Sequence, residues 1–211
     1  GLFYLYLEAW SYTMDWDRVK KSRSFQNGAL TYMEVVQRVL SGYGQSGVTD
    51  HATGGACIPE FLLQYEESDW VFLRRLASHF GTYLLADATD ACGKVYFGVP
   101  EISYGTVLDR QGYTMEKDML HYARVLEKEG VLSQEASCWN VMVRFFLRMG
   151  ETLTFNGIEA VVTAMRLHTE KGELVYSYVL ARRAGIRREK EKNPGIFGMS
   201  IPATVMERSG N

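Results

Sequence analysis

Residues 61–85 read FLLQYEESDWVFLRRLASHFGTYLL, an extended piece, an acidic helix start and an aromatic-rich amphipathic helix in unbroken succession. Ser68 is placed to cap the helix by accepting a bond from a free backbone N–H, and Glu66, Glu67 and Asp69 put negative charge at the positive end of the helix dipole. Trp70, Leu73, Leu76, Ala77 and Phe80 recur at three- and four-residue steps and predict the buried stripe, with Arg74, Arg75 and Ser78 largely outside it. Gly81 can take the left-handed closing position, and the chain then turns extended again.

Upstream, residues 3–13 alternate as a strand would, with Phe3, Leu5, Leu7, Ala9 and Ser11 on one side and Tyr4, Tyr6, Glu8, Trp10 and Tyr12 on the other. Both faces are largely apolar or aromatic, so such a strand needs cover on both sides, from its own core or from a neighbouring subunit. Tyr4, Tyr6, Trp10 and Tyr12 are therefore the candidate interface residues. Asp15, Trp16 and Asp17 and the basic cluster Arg18, Lys20, Lys21 and Arg23 form a polar connection. Thr31 and Glu34 make a capping box for a helix that presents Val35, Val36, Val39 and Leu40, with Gly42 as terminator. The glycine-rich stretch 41–56 reads as a loop, and 82–86 and 94–99 read as two strands around a turn at Asp87–Gly93.

Downstream, Met115, Met119, Tyr122, Val125 and Leu126 stand at helical steps, which predicts a helix within 114–130. From 137 the period changes to two. Trp139–Met149, Thr152–Phe155, Ile158–His168 and Leu174–Leu180 read as strands; Asn156-Gly157 and Glu170-Lys171-Gly172 read as turns. Such strands suggest a small antiparallel barrel or sandwich. Arg182–Lys192, dense in charge of both signs, reads as a solvated linker, and Asn193-Pro194-Gly195 breaks it.

Gln64-Tyr65-Glu66-Glu67-Ser68-Asp69-Trp70, followed by Phe72-Leu73-Arg74-Arg75-Leu76, closely resembles the signature of the contractile-tail baseplate hub family. That family includes the phage late control gene D proteins and the hub part of type VI secretion spike proteins. Arg23-Ser24-Phe25-Gln26 leading into Thr31–Val36 is similar to the family's step into a helix, and Gly150–Gly157 to its later hairpin. The resemblance spans scattered blocks within 3–181, while the region around 110–136 matches nothing in it. It implies a homotrimer whose barrel-like domains form a pseudo-sixfold ring, docked on a sixfold tail tube protein above and a threefold spike below. Ile201–Glu207 resembles the opening strand of the spike domain that follows the hub.

Composition fits this without requiring it. The chain has 211 residues, 46% of them hydrophobic, and a formal net charge of −2, so it can build a real core and has no global attraction for nucleic acid or anionic membrane. No apolar run is long enough for membrane insertion, and GLFYLYLEAW lacks the basic leader and cleavage site of a signal peptide. Cys57, Cys92 and Cys138 are widely spaced and odd in number, which argues against a disulfide framework or a zinc ribbon. A start without Met suggests a piece of a longer protein.

Catalytic signals are sparse. His51, His79, His121 and His168 are scattered, and no metalloprotease, nucleophile-elbow, phosphate-loop or EF-hand pattern occurs; Asp87, Asp90 and Gly93 make a turn rather than a calcium loop. The best enzymatic arrangement would pair Cys57 as nucleophile with His51 as base in the glycine-rich loop. Sequence proximity alone gives that pair little weight.

The expectation is therefore an α+β protein of antiparallel β-barrel-like domains with a few amphipathic helices. It divides into an αβ hub domain at 1–109, a β-rich hub domain at 110–181, a charged linker at 182–200 and the start of a spike (OB-fold) domain at 201–211. The expected function is that of a structural baseplate hub, not an enzyme and without cofactor or metal. Such a protein would be assembled in the cytoplasm and carried at a virion tail baseplate or injection-machine tip. The alternative is a monomeric peptide- or cargo-binding β module with an open groove or strand edge.

Overall fold

The computed structural model describes residues 10–58, 61–87, 89, 90, 92–170 and 172–200. The chain is α+β, built around two hydrophobic cores. Trp10 and Ser11 precede a 3-10 turn at Tyr12–Asp17, so the strand expected over 3–13 does not reach its end, and residues 3–9 lie outside the described residues. The aromatic side chains mislead there, because Trp16 turns inward and is buried against Tyr43 and Trp70.

β1 (Lys20–Phe25) leads to α1 (Tyr32–Leu40), which carries the expected capping box: Thr31 Oγ1 accepts from the Glu34 N–H at 3.1 Å, and Glu34 accepts from the Thr31 N–H at 2.7 Å. The glycine-rich segment is not all loop, since β2 (Ser46–Asp50) forms within it. β3 (Leu62–Ser68) runs into α2 (Asp69–Ser78), followed by β4 (Leu84–Ala86) and β5 (Gly93–Phe97). β1 and β3 make an antiparallel ribbon; β5 lies between β2, parallel to it, and β4, antiparallel to it. Val35, Val36, Phe72, Leu73, Leu76, Val95 and Phe97 fill the first core, with Phe25 stacked on Phe72.

The second core belongs to a six-stranded sheet in the order β6 (Ile102–Leu108), β9 (Glu151–Phe155), β10 (Ile158–Glu170), β11 (Glu173–Ala181), β8 (Ser137–Val143) and β7 (Tyr113–Lys117). The Asn156-Gly157 hairpin forms as expected, with both residues at positive φ as its tight turn requires. Trp139, Val141, Leu153, Phe155, Val162, Tyr178 and Leu180 line the buried face. The strand expected over 139–149 stops at Val143. Beyond it the Leu147 N–H leaves the ladder and donates to the buried Tyr178 hydroxyl at 2.7 Å.

Two expectations fail here for physical reasons. The predicted helix at 114–130 begins as β7, whose Met115 and Glu116 pair with Trp139 and Cys138, and only 119–129 coils, in short irregular turns. A ladder partner supplied by β8 outweighed the local helical spacing. The sheet is also not closed into a barrel. Its edge strands β6 and β7 are joined directly by residues 109–112, a link that spans at most about 17 Å, yet no ladder forms between them. Tyr113 of β7 packs edge-on against Phe155 of β9, so the sheet curls strongly across its open side. β6, upstream of residue 109, belongs to this sheet through its parallel pairing with β9.

Candidate functional site

The two sequence blocks that carried the resemblance meet in one buried cluster. β3 and β1 keep register from Phe25↔Leu62 to Arg23↔Gln64, then resume at Lys21↔Glu67, so β3 carries one extra residue. Glu66 sits in this bulge at φ 48°, with its N–H donating to Ser22 Oγ at 3.2 Å. Residues three apart on a regular strand face opposite sides, but the bulge turns both Gln64 and Glu67 inward, where they are buried.

Asp69, the first residue of α2, has a fully buried side chain at the centre of this cluster. Its carboxylate accepts from Lys21 Nζ at 2.7 Å, from the Tyr43 hydroxyl at 2.8 Å, from Gln64 Nε2 at 2.9 Å and from the Arg23 guanidinium. Arg23 Nε also donates to Gln64 Oε1 at 2.9 Å, closing the network. Burial pushes the Asp69 carboxyl up, but the donors Lys21, Gln64 and Tyr43 and the charge of Arg23 outweigh it and hold the group below the usual carboxylate range. The same hydrogen bond to Asp69 raises Lys21 against its own partial burial.

A second buried pair, Arg75 with Glu67, lies beside it. Arg75 reaches back to the Glu67 carboxylate, donates to the Leu63 carbonyl at 2.6 Å and lies over the Phe72 ring. Arg75 and Ser78, expected outside the buried stripe, are buried. The helix start is as read from the sequence, with Ser68 Oγ accepting from the Val71 N–H at 3.2 Å and Gly81 at φ 62°. The acids there do more than favour the helix dipole: each buried one has a cationic partner.

Lys21 and Tyr43 were not singled out from the sequence as members of this cluster. The signal was the i, i+2 pair Lys21 and Arg23 on a short strand, both aimed at one face, and their partner was masked by the bulge. The cluster binds strands to helix, and its polar atoms hydrogen-bond one another. Cys57 is exposed and its Sγ contacts the Ala29 carbonyl at 3.8 Å, whereas His51 packs on Tyr96; no hydrogen bond joins them among the described residues. No cluster of metal-ligating side chains is present among the described residues. None of the described helices is long and apolar enough to cross a membrane.

Surface chemistry instead suggests contacts with other macromolecules. Of the candidate interface residues, Trp10 is 67% and Tyr12 60% exposed, and Tyr4 and Tyr6 lie outside the described residues. Every residue of the edge strand β7 is exposed, including Tyr113 and Met115, and Met119, Leu120 and Leu132 continue an apolar surface beyond it. The other edge strand, β6, exposes Tyr104 and Val107. Two edges without a partner strand among the described residues, flanked by apolar side chains, are costly to leave bare.

Residues 2–98 match the family model of the phage tail baseplate hub (GPD). No curated protein sequence matches the chain. Among solved structures, the fold is similar to the E. coli c3393 protein, a component of the type VI secretion system that exhibits structural similarity to the T4 bacteriophage tail proteins gp27 and gp5. That likeness has a TM-score of 0.66 at 15% identity and covers 87% of this chain. This chain spans only 57% of the length of that one. The 43 kDa tail protein of prophage MuSo2 from Shewanella oneidensis is similar at TM-score 0.58 and 12% identity, over 80% of this chain and 67% of that one. A tail protein from Neisseria meningitidis MC58 is similar at 0.54 and 10%, over 79% and 71%.

Proposed function

We propose, from the match of residues 2–98 to the family model of the phage tail baseplate hub, that the chain is a structural hub component of a contractile phage tail or related injection machine. Its role is assembly. The reading rests above all on the joining of the two signature blocks, Arg23 with Gln64 and Asp69, in a cluster that ties strands to helix.

Three copies associate around a threefold axis and adapt a sixfold tail tube protein to a threefold spike. A cyclic trimer uses heterologous contacts, one surface of each copy against a different surface of the next. The exposed edges β6 and β7, together with Trp10 and Tyr12, supply apolar area of the kind such contacts need. Residues 182–200 lead on to the spike domain that residues 201–211 begin. Assembly takes place in the cytoplasm, and the product sits at the tail baseplate or injection-machine tip.

The test is the solution mass by light scattering over a concentration series, for this chain and for a longer one that completes the downstream domain. A mass near three protomers in the longer chain is the expected result. A monomer in both overturns the trimer and favours the β7 edge, which has no partner strand among the described residues, as a place for an added peptide strand, the mark of a monomeric cargo-binding module.

A further inference from the structure

The charged segment after β11 does not run free through solvent. Arg183 donates to the carbonyls of Val99 at 3.2 Å and Pro100 at 2.9 Å, in the link between β5 and β6, and to Thr152 Oγ1 of β9 at 2.9 Å. Arg182 pairs with Glu135 at 3.3 Å, and Arg187 with Glu129 at 3.2 Å. Gly185 lies so close under the Glu135 carbonyl oxygen that a side chain there would collide with it. Ile186 is buried with Val161 and Ala181 of the six-stranded sheet and with Tyr83 and Val99 of the first core's unit.

Past Ile186 the chain crosses onto α2 and β3. The Arg188 N–H donates to the Gly81 carbonyl at 3.0 Å, its guanidinium lies over Tyr83, and the Tyr83 hydroxyl donates to the Arg187 carbonyl at 3.2 Å. The Glu191 N–H donates to Ser78 Oγ at 2.8 Å, and Asn193 Nδ2 donates to the Tyr65 carbonyl at 2.7 Å. On the α2 side the backbone itself is held, at Arg187, Arg188 and Glu191. Ionic attraction between exposed charges would not need that.

We infer that residues 182–193 form an intramolecular clamp that locks the six-stranded sheet to the α2–β3 unit in one orientation. Its first turn grips the β5–β6 link and β9, its apolar plug Ile186 fills the junction, and its far end is fastened to the C-terminal end of α2 and to β3. The chain that follows Asn193 is thereby delivered to a fixed place on the signature unit. The inference is independent of how many copies associate.

Six trypsin sites, Arg182, Arg183, Arg187, Arg188, Lys190 and Lys192, fall within this segment. A solvated linker would be the first place cut. Under native conditions the clamp is expected to be cleaved at least about a hundredfold more slowly than a free peptide of residues 180–196, because cleavage then waits on local opening. Cleavage within about threefold of the peptide rate would overturn the inference. A second measurement does not depend on cleavage: the amide protons of Arg188 and Glu191 should exchange slowly in the intact protein. Asn193→Ala combined with Ser78→Ala should speed exchange of the Glu191 amide by about 5- to 50-fold, the loss of one or two hydrogen bonds. Unprotected amides in the intact protein, or protection unmoved by that double substitution, would each count against the clamp.

Discussion

The Arg23 guanidinium and the Asp69 carboxylate, 46 positions apart in the chain, are joined directly inside the first core, and Gln64 hydrogen-bonds both. One contact thus ties β1 to the start of α2 across the ribbon. Removal of Arg23 leaves a fully buried carboxylate with one cation fewer, whereas the Arg23 side chain itself keeps 30% exposure.

Asp69→Asn preserves shape and removes the charge, leaving Lys21 and Arg23 facing each other over a neutral amide. The expected loss is about 1.5–3 kcal/mol of unfolding free energy, the range for losing hydrogen bonds to a charged group, because Lys21 and Arg23 keep about a third of their exposure and water can take up their charge. Urea denaturation followed by tryptophan fluorescence measures it, since Trp16 is buried in the same core.

Arg75→Met should destabilise by about 3–5 kcal/mol, because Glu67 is then buried without its cation. Adding Glu67→Gln should recover part of that loss, so that the double variant is more stable than Arg75→Met alone. A double-mutant cycle with additive losses would assign the effect to packing over Phe72 instead.

His79 gives a pH dependence. Burial, with the charges of Lys190 and Arg75, lowers its pKa from 6.5 to about 4, and its Nδ1 lies 3.2 Å from the Tyr32 hydroxyl. The unfolded chain therefore binds this proton first. Stability from His79 is complete above pH 6.5 and is lost as pH falls toward 4, by about 1–2 kcal/mol after allowance for solvent screening. His79→Gln should flatten that part of a stability–pH curve measured between pH 7 and 4.

Gly185→Ala places a methyl group against the Glu135 carbonyl. Overpacking of this kind costs about 1–3 kcal/mol, and it should fall on the seating of residues 182–193 more than on either core. Faster trypsin cleavage after Arg187 and Arg188, with an unchanged tryptophan emission maximum, is the expected signature.

Trp10→Asp tests the candidate interface. Trp10 is two-thirds exposed, so the monomer's unfolding free energy should change by no more than about 0.5 kcal/mol. Association in the longer chain should weaken. An unchanged mass in light scattering would remove Trp10 from the interface.

Elements governed by local rules were legible in the sequence. Thr31 with Glu34, Ser68 and Asn156-Gly157 act through neighbours only a few positions away, and each does in the structure what its residue type predicts. Features set by distant partners were not. The bulge at Glu66 arises from the pairing of β3 with β1, and nothing in a two-residue period reveals that Gln64 and Glu67 share a side. β7 is a strand because β8 accepts it, although Met115 and Met119 stand at helical spacing. Arg182–Lys192 has the composition of a linker, but its backbone bonds go to Gly81 and Ser78, about a hundred positions earlier, where charge counting gives no hint of them.

The parallel pairing of β6 with β9 has a kinetic consequence. β7, β8 and the β9–β10–β11 hairpins all come later in the chain, so β6 cannot be covered when it is made; Ile102 must wait for Glu151. During synthesis the α2 unit can condense while β6 trails from it as an unpaired strand with Leu108, buried in the finished sheet, still uncovered, and long-range closure of this sort is slow. Gly105 at φ 73°, which interrupts the β6 ladder between Ser103 and Val107, makes that waiting edge irregular and so a poorer template for the wrong strand.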